Sequence, residues 1–213
     1  MKKIAYLLLA AVALCSCSRE SDLKKSIFIP DSDDSRLPAY TEWGYNTFGA
    51  YLDREVFIYN DNALPFKAIA YSTTTELQFN GEIYEEFHSN DEKVSLIIKT
   101  SSILLKNAED FSLLNGKSYQ LNDPSFQVYL ERNGVRTKLS VGQGVLTFQR
   151  VQKIFIDRKY TEMILSGYFE LSAMQNGSLI SISDGRFDVG LKNGYNFTYQ
   201  PISAAAQQTL RLQ

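Results

Sequence analysis

Six Asn-Gly or Asp-Gly dipeptides punctuate this chain, at Asn80-Gly81, Asn115-Gly116, Asn133-Gly134, Asn176-Gly177, Asp184-Gly185 and Asn193-Gly194. Around them apolar and polar residues alternate. Phe126, Val128 and Leu130 interleave with Gln127, Tyr129 and Glu131. Phe169, Leu171 and Ala173 interleave with Tyr168, Glu170 and Ser172, and Phe187, Val189 and Leu191 with Arg186, Asp188 and Gly190. A period of two sends one face of a strand into a core and the other toward water, while Asn-Gly and Asp-Gly supply the positive φ of tight hairpins. The pattern predicts antiparallel strands from Asn46 onward, with hairpins at these dipeptides. The clearest joins residues 126–131 to 136–141 across Asn133-Gly134. Another joins 47–52 to 55–59 across Asp53-Arg54, a poorer turn pair.

About ten such strands bury their apolar faces either as a two-sheet sandwich or as a partly closed barrel, and the sequence places the sandwich slightly ahead. Gly142 and Gly144, beside Val141 and Val145, suit the bulge or corner that barrels use. Helix-favouring composition is confined to residues 89–93 and 203–212, the second read as a tail or a short helix. No repeat of constant length accompanies the turns, which argues against a solenoid or a propeller.

The first residues read differently. Lys2 and Lys3 precede the apolar run from Ile4 to Leu14, which is too short to span a bilayer, and Leu14-Cys15-Ser16-Cys17 follows. This stretch resembles the lipobox of bacterial lipoproteins, which implies cleavage after Ser16 and lipidation of Cys17. Cys15 is the poorer candidate because bulky Leu14 stands directly before it. Expected boundaries are a signal peptide over 1–16, a lipidated tether over 17–40, an antiparallel β domain over 41–200 and a tail over 201–213. The expected membrane partner is reached through the acyl chains on Cys17, since two or more chains anchor a protein stably.

Cleavage would leave roughly 200 residues, the size of one all-β domain. Both cysteines lie in the signal region, so the exported domain has no thiol for a disulfide, a thiolate zinc site or a nucleophile. The net charge is −2, and loss of Lys2 and Lys3 makes the mature domain more acidic. Nucleic-acid binding, which draws on clustered Lys and Arg, is disfavoured. No run of 18 or more apolar residues follows the signal, and neither a cofactor fingerprint nor a phosphate-binding glycine loop is present.

Three constellations are candidates for chemistry. His88, the lone histidine, sits in Glu85-Glu86-Phe87-His88-Ser89 without a nucleophile motif and reads as a surface residue at a strand end. Glu162, Glu170, Asp184 and Asp188 fall on neighbouring strands, where paired carboxylates can support glycoside hydrolysis, although Arg186 offers Glu170 or Asp188 a cross-strand ion-pair partner. Tyr40, Trp43, Tyr45, Phe48, Tyr51, Phe57 and Tyr59 form the best binding series. Phe48 and Phe57 are expected in the core. Trp43 and Tyr45, flanking Gly44 ahead of the first strand, are the candidate ligand-binding platform. The cluster Asp31-Ser32-Asp33-Asp34-Ser35 lacks the Gly and terminal Glu of a calcium loop and reads as solvated linker; no metal site is assigned.

Two segments carry a family likeness: residues 41–52, with Asn46-Thr47-Phe48-Gly49, and the closing pair 166–171 and 183–189, with Gly185-Arg186-Phe187-Asp188. They resemble uncharacterised β-rich lipoproteins of Bacteroidota across residues 40 to 192. The resemblance implies an envelope lipoprotein and brings no activity or catalytic residues. The stretch after Cys17 is mixed in charge, which leaves open the face of the outer membrane on which the domain sits. Together these readings give a non-enzymatic outer-membrane lipoprotein that binds a glycan or an envelope protein. The alternatives are an envelope hydrolase using carboxylates such as Glu170 and Asp188, or a structural subunit of an outer-membrane assembly.

Overall fold

The computed structural model describes residues 26–59, 64–84, 92–156 and 159–201. In chain order the strands are β1 (Thr47–Leu52), β2 (Glu55–Ile58), β3 (Phe66–Tyr71), β4 (Thr75–Tyr84), β5 (Glu92–Thr100), β6 (Lys117–Gln120), β7 (Phe126–Arg132), β8 (Val135–Ile156), β9 (Lys159–Gln175), β10 (Ser178–Leu191) and β11 (Phe197–Gln200). A short 3-10 helix, Ala108–Leu114, stands between β5 and β6. Eight strands pair antiparallel in the ring β1-β2-β4-β5-β7-β8-β9-β10, which closes where β10 meets β1. Outside the ring, β3 pairs with β4, β11 lies parallel to β3, and β6 pairs with β8.

The sandwich favoured from sequence is therefore corrected to a closed barrel. Length and bulges are the physical reason. β8 runs for 22 residues and β9 for 17, and their mutual register slips at Val141/Gln143, Phe148/Arg150 and Ile154/Phe155. Each slip adds local twist and bends the sheet until its two edges meet, which removes the unpaired edges a sandwich would keep. The first slip is the bulge anticipated at Gly142.

Only two of the six Asn/Asp-Gly pairs are strand-to-strand hairpin turns. Asn133-Gly134 and Asn176-Gly177 take positive φ at both residues, as that turn requires. Asn80-Gly81 and Asp184-Gly185 instead lie inside β4 and β10. A Cβ on Gly81 would sit 2.3 Å from the Ile58 carbonyl oxygen, and one on Gly185 2.1 Å from that of Phe169. These glycines admit a neighbouring backbone rather than a reversal. The unpromising Asp53-Arg54 does form its turn, with φ of 52° and 84°. Part of its support comes from the Ser181 amide, which donates to Asp53 Oδ1 at 2.7 Å.

Inside the barrel the predicted alternation holds. Phe126, Val128, Leu130, Phe169, Leu171, Ala173, Phe187, Val189 and Leu191 are all buried, as are Phe48 and Phe57. Phenylalanine fills the centre: the Phe79 ring lies 5.0 Å from Phe169, 5.1 Å from Phe66, 5.2 Å from Phe187 and 6.1 Å from Phe48. An eight-stranded barrel is just wide enough for side chains to occupy its interior. The 3-10 helix was missed from sequence. Its signature was legible, because Asn107 and Asp110 form a reciprocal capping box and Ala108, Phe111 and Leu114 recur every third residue, the period of this helix. Phe111 carries the aromatic cluster outward to Phe66, Phe148 and Phe197.

Residues 26–40 depart from the tether expected of residues 17–40. Pro30 and Pro38 form an antiparallel bridge, and the amides of Asp31 and Ala39 donate to the carbonyls of Leu37 and Ile29. Leu37 is buried, and the Pro38 ring lies where a side chain on Gly49 would stand. The segment is thus a hairpin laid on the barrel wall, and the Ile27 amide joins it to the Tyr45 carbonyl at 2.9 Å. Residues 1–25, 85–91 and 202–213 lie outside the described residues, and with them the expected signal peptide, Cys17, His88 and nearly all of the expected tail.

Candidate binding face on the outer wall

Period two alone would expose Ile164, Ser166 and Asp188 on the outside of β9 and β10. All three are buried, because residues 40–46 cross over them as a strap. Asp188 is 1% exposed and lies at the centre of that contact. Its Oδ2 accepts from Thr41 Oγ1 at 2.5 Å and from the amides of Trp43 and Tyr45 at 3.0 and 3.2 Å. Its Oδ1 accepts from the Gly44 amide at 2.8 Å and Ser166 Oγ at 3.1 Å. Three successive amides converging on one carboxylate form an anion nest turned inward upon the protein itself. Gly44, at φ 74°, lets the strap lie against Ile164, whose Cγ1 is 3.1 Å from where a Cβ would be. Asn46 completes the fastening by accepting from the Gly190 amide at 2.9 Å.

The aromatic series divides along this strap. Trp43 is 72% exposed, Tyr45 is half-buried, and Phe48, Phe57 and Tyr59 are buried. Tyr40 stacks on Tyr168 of β9 with centroids 4.5 Å apart, and its hydroxyl donates to Glu42 Oε1 at 2.9 Å. Burial, then the bond to Glu42, pushes the Tyr40 hydroxyl above its ordinary range. Glu42 is fixed in turn by Arg150 at 3.3 Å, while Gln152 Nε2 donates to the Glu42 carbonyl at 2.6 Å. Trp43 is therefore an exposed ring on a backbone held from both sides.

Among the candidate carboxylates, Asp188 stands apart from Glu170 and Asp184. Asp188 is occupied beneath the strap. Glu170 and Asp184 are exposed and line a shallow groove of about 530 Å³ with Tyr40, Tyr168 and Arg186. The expected pairing of Arg186 with Glu170 or Asp188 is corrected: Arg186 Nη1 bonds Asp31 Oδ2 at 2.5 Å, across 155 residues of sequence. Amides of Asp33 and Asp34, together with Arg186, hold the Asp31 carboxyl below its usual range. The side-chain bonds from Arg36 bring Asp34 to about 2. The acidic cluster is thus part of the hairpin's own wiring, and among the described residues no group of three or more His, Cys, Asp or Glu is placed to hold a metal ion. The side chain of Glu162 lies outside those described.

Trp43 and Tyr45 were identified from their position ahead of β1. The strap's anchor on Asp188 was not, since the partners stand more than 140 residues apart. The only local hint is an acid at an outward strand position just before the run Val189-Gly190-Leu191. Comparison with known proteins brings no further likeness: no family model, no curated protein and no solved structure matches this chain.

Proposed function

We propose that this chain is a lipid-anchored outer-membrane protein whose barrel is a non-catalytic binding module, presenting the strap face to a glycan or an envelope protein. The observation that carries the reading is Trp43: a large ring, 72% exposed, on a backbone pinned by three consecutive amides to a buried carboxylate. An exposed indole on a mobile loop would lose rotamer and backbone freedom on binding. On a fixed backbone most of that ordering cost is already met by folding. Flat rings with a polar edge suit sugar faces and the centres of protein contacts. The hydrolase alternative has less support, because Asp188 is committed to five donors and does not share the groove of Glu170 and Asp184.

Replacing Trp43 with Ala should weaken retention on an immobilised envelope polysaccharide about tenfold or more, with the melting temperature unchanged within the scatter of surface substitutions. Equal retention of wild type and W43A would remove the platform. The anchor has its own test. Cys17→Ala should abolish incorporation of labelled fatty acid into the protein, since the acyl chains on this thiol, at about 0.8 kcal/mol per methylene, are the proposed hold on the bilayer. A variant labelled as strongly as wild type would count against lipidation at Cys17.

A further inference from the structure

Two more depressions lie on the outer wall beside the groove of Glu170 and Asp184. One, of about 670 Å³, is lined by Arg36, Tyr51, Asp53, Arg54 and Leu179 with Ser181 and Ser183. The other, of about 200 Å³, shares Ser181 and Ser183 with the first and Glu170 with the groove, and adds Gln143 and Ser172. The three therefore stand side by side, each sharing lining residues with its neighbour. They follow β10 from Leu179 to Arg186, roughly 20 Å at ~3.3 Å per residue. The bulge at Asp184, φ 53°, sits within this run. It shifts the strand's phase, so that Ser181, Ser183 and Asp184 all face outward while Ile182 and Gly185 are buried.

The chemistry of the lining selects among occupants. Strand addition by a peptide is closed off over most of this run, because β9 is paired with β8 and β10, and β10 with β9 along its length and with β1 from Ile182 to Asp188. An amphipathic helix needs an apolar stripe, and Leu179 is the one exposed aliphatic side chain in the lining. A polyanion needs a surplus of cations. Arg36 is held by Asp34 at 2.8 Å and Arg186 by Asp31, while Asp53 stands beside Arg54 in the lining. What remains is a floor of hydroxyl, amide and carboxylate groups with phenol rings at both ends, Tyr51 at one and Tyr40 with Tyr168 at the other. Such a floor exchanges hydrogen bonds with vicinal hydroxyls, and Tyr168, 41% exposed beside Tyr40, presents ring surface to a sugar, while the Tyr51 ring lies under the Arg36 guanidinium.

We propose that these depressions form one trough that binds a linear, uncharged polysaccharide along its length. This rests on the binding-module reading and moves the main contact from Trp43 to the middle of β10.

The test is electrophoresis of the mature domain through native gels containing dissolved glucomannan, xyloglucan or dextran, with polygalacturonate as the charged comparator. Wild type should be retarded by at least one neutral polymer, and high salt should leave that affinity unchanged, since screening acts on charge. Ser181→Tyr, which fills the segment shared by two depressions from an exposed position, should weaken it about tenfold or more. Glu170→Ala, also exposed, should weaken it severalfold, and both variants should melt with wild type. Equal retardation of wild type, S181Y and E170A overturns the trough. So does retardation by polygalacturonate alone that salt abolishes, which would mark a simple ionic contact. Loss of retardation in W43A with S181Y unaffected overturns the trough and leaves the Trp43 platform standing. Absence of retardation in every neutral gel overturns the trough and leaves Trp43 to a protein partner.

Discussion

Replacing Asp188 with Ala should lower the melting temperature of the domain by roughly 10 °C, the consequence of about 3–5 kcal/mol lost from a fold of this size. The magnitude follows from what is orphaned. Thr41, Trp43, Gly44, Tyr45 and Ser166 all donate to this one carboxylate, and a buried donor left without its acceptor costs on the order of 1–3 kcal/mol. Not every donor will stay buried, because the strap can lift and recover water. That relief holds the total below the sum of five penalties and predicts a second signal: protease cleavage within residues 40–46 at temperatures where β9 and β10 are still paired. Asp188→Asn keeps one acceptor oxygen and should fall between wild type and D188A. Thermal melts with limited proteolysis read both effects. If D188A melts within about 1 °C of wild type and the strap stays uncut, the strap is held by something other than this carboxylate.

Phe79→Ala should cost about as much, on the order of 3–5 kcal/mol, for a different reason. Phe79 is fully buried and its ring packs on Phe48, Phe66, Phe169 and Phe187, which belong to β1, β3, β9 and β10. Truncation removes the transfer free energy of the ring, leaves a cavity at the centre of the barrel, and deletes aromatic pairs worth about 0.5–1.5 kcal/mol each. The surrounding side chains come from strands on several sides of the barrel, so no single element can collapse into the gap. Against a total stability of about 5–15 kcal/mol, the variant should unfold at a much lower urea concentration with an unchanged slope. Phe79→Leu should recover part of the loss. A steeply altered slope would instead mean that the barrel had already opened in the native state.

These variants separate two kinds of legibility. The interior positions of β7, β9 and β10 could be read directly, because alternation is a local code and the hydrophobic effect acts on each strand in the same way whatever its partner. The turn at Asn133-Gly134 was legible for the same reason. Asn80-Gly81 and Asp184-Gly185 carry the same local chemistry yet stand in mid-strand. There the requirement is for a bare Cα under the carbonyl of a neighbouring strand, and that neighbour is distant in sequence.

Asp188 was visible as an outward acid, one member of a possible catalytic pair. Its burial depends on a strap more than 140 residues upstream. The salt bridge of Arg186 depends on Asp31, in a stretch whose polar composition reads as linker. Composition and periodicity were enough to settle that the domain is antiparallel β and that Phe48 and Phe57 belong to its core. Closure into a barrel, the strap over β9 and β10, and the row of depressions along β10 were decided only when distant segments met. A local pattern states which residues seek burial; the register of long, bulged strands determines what covers them.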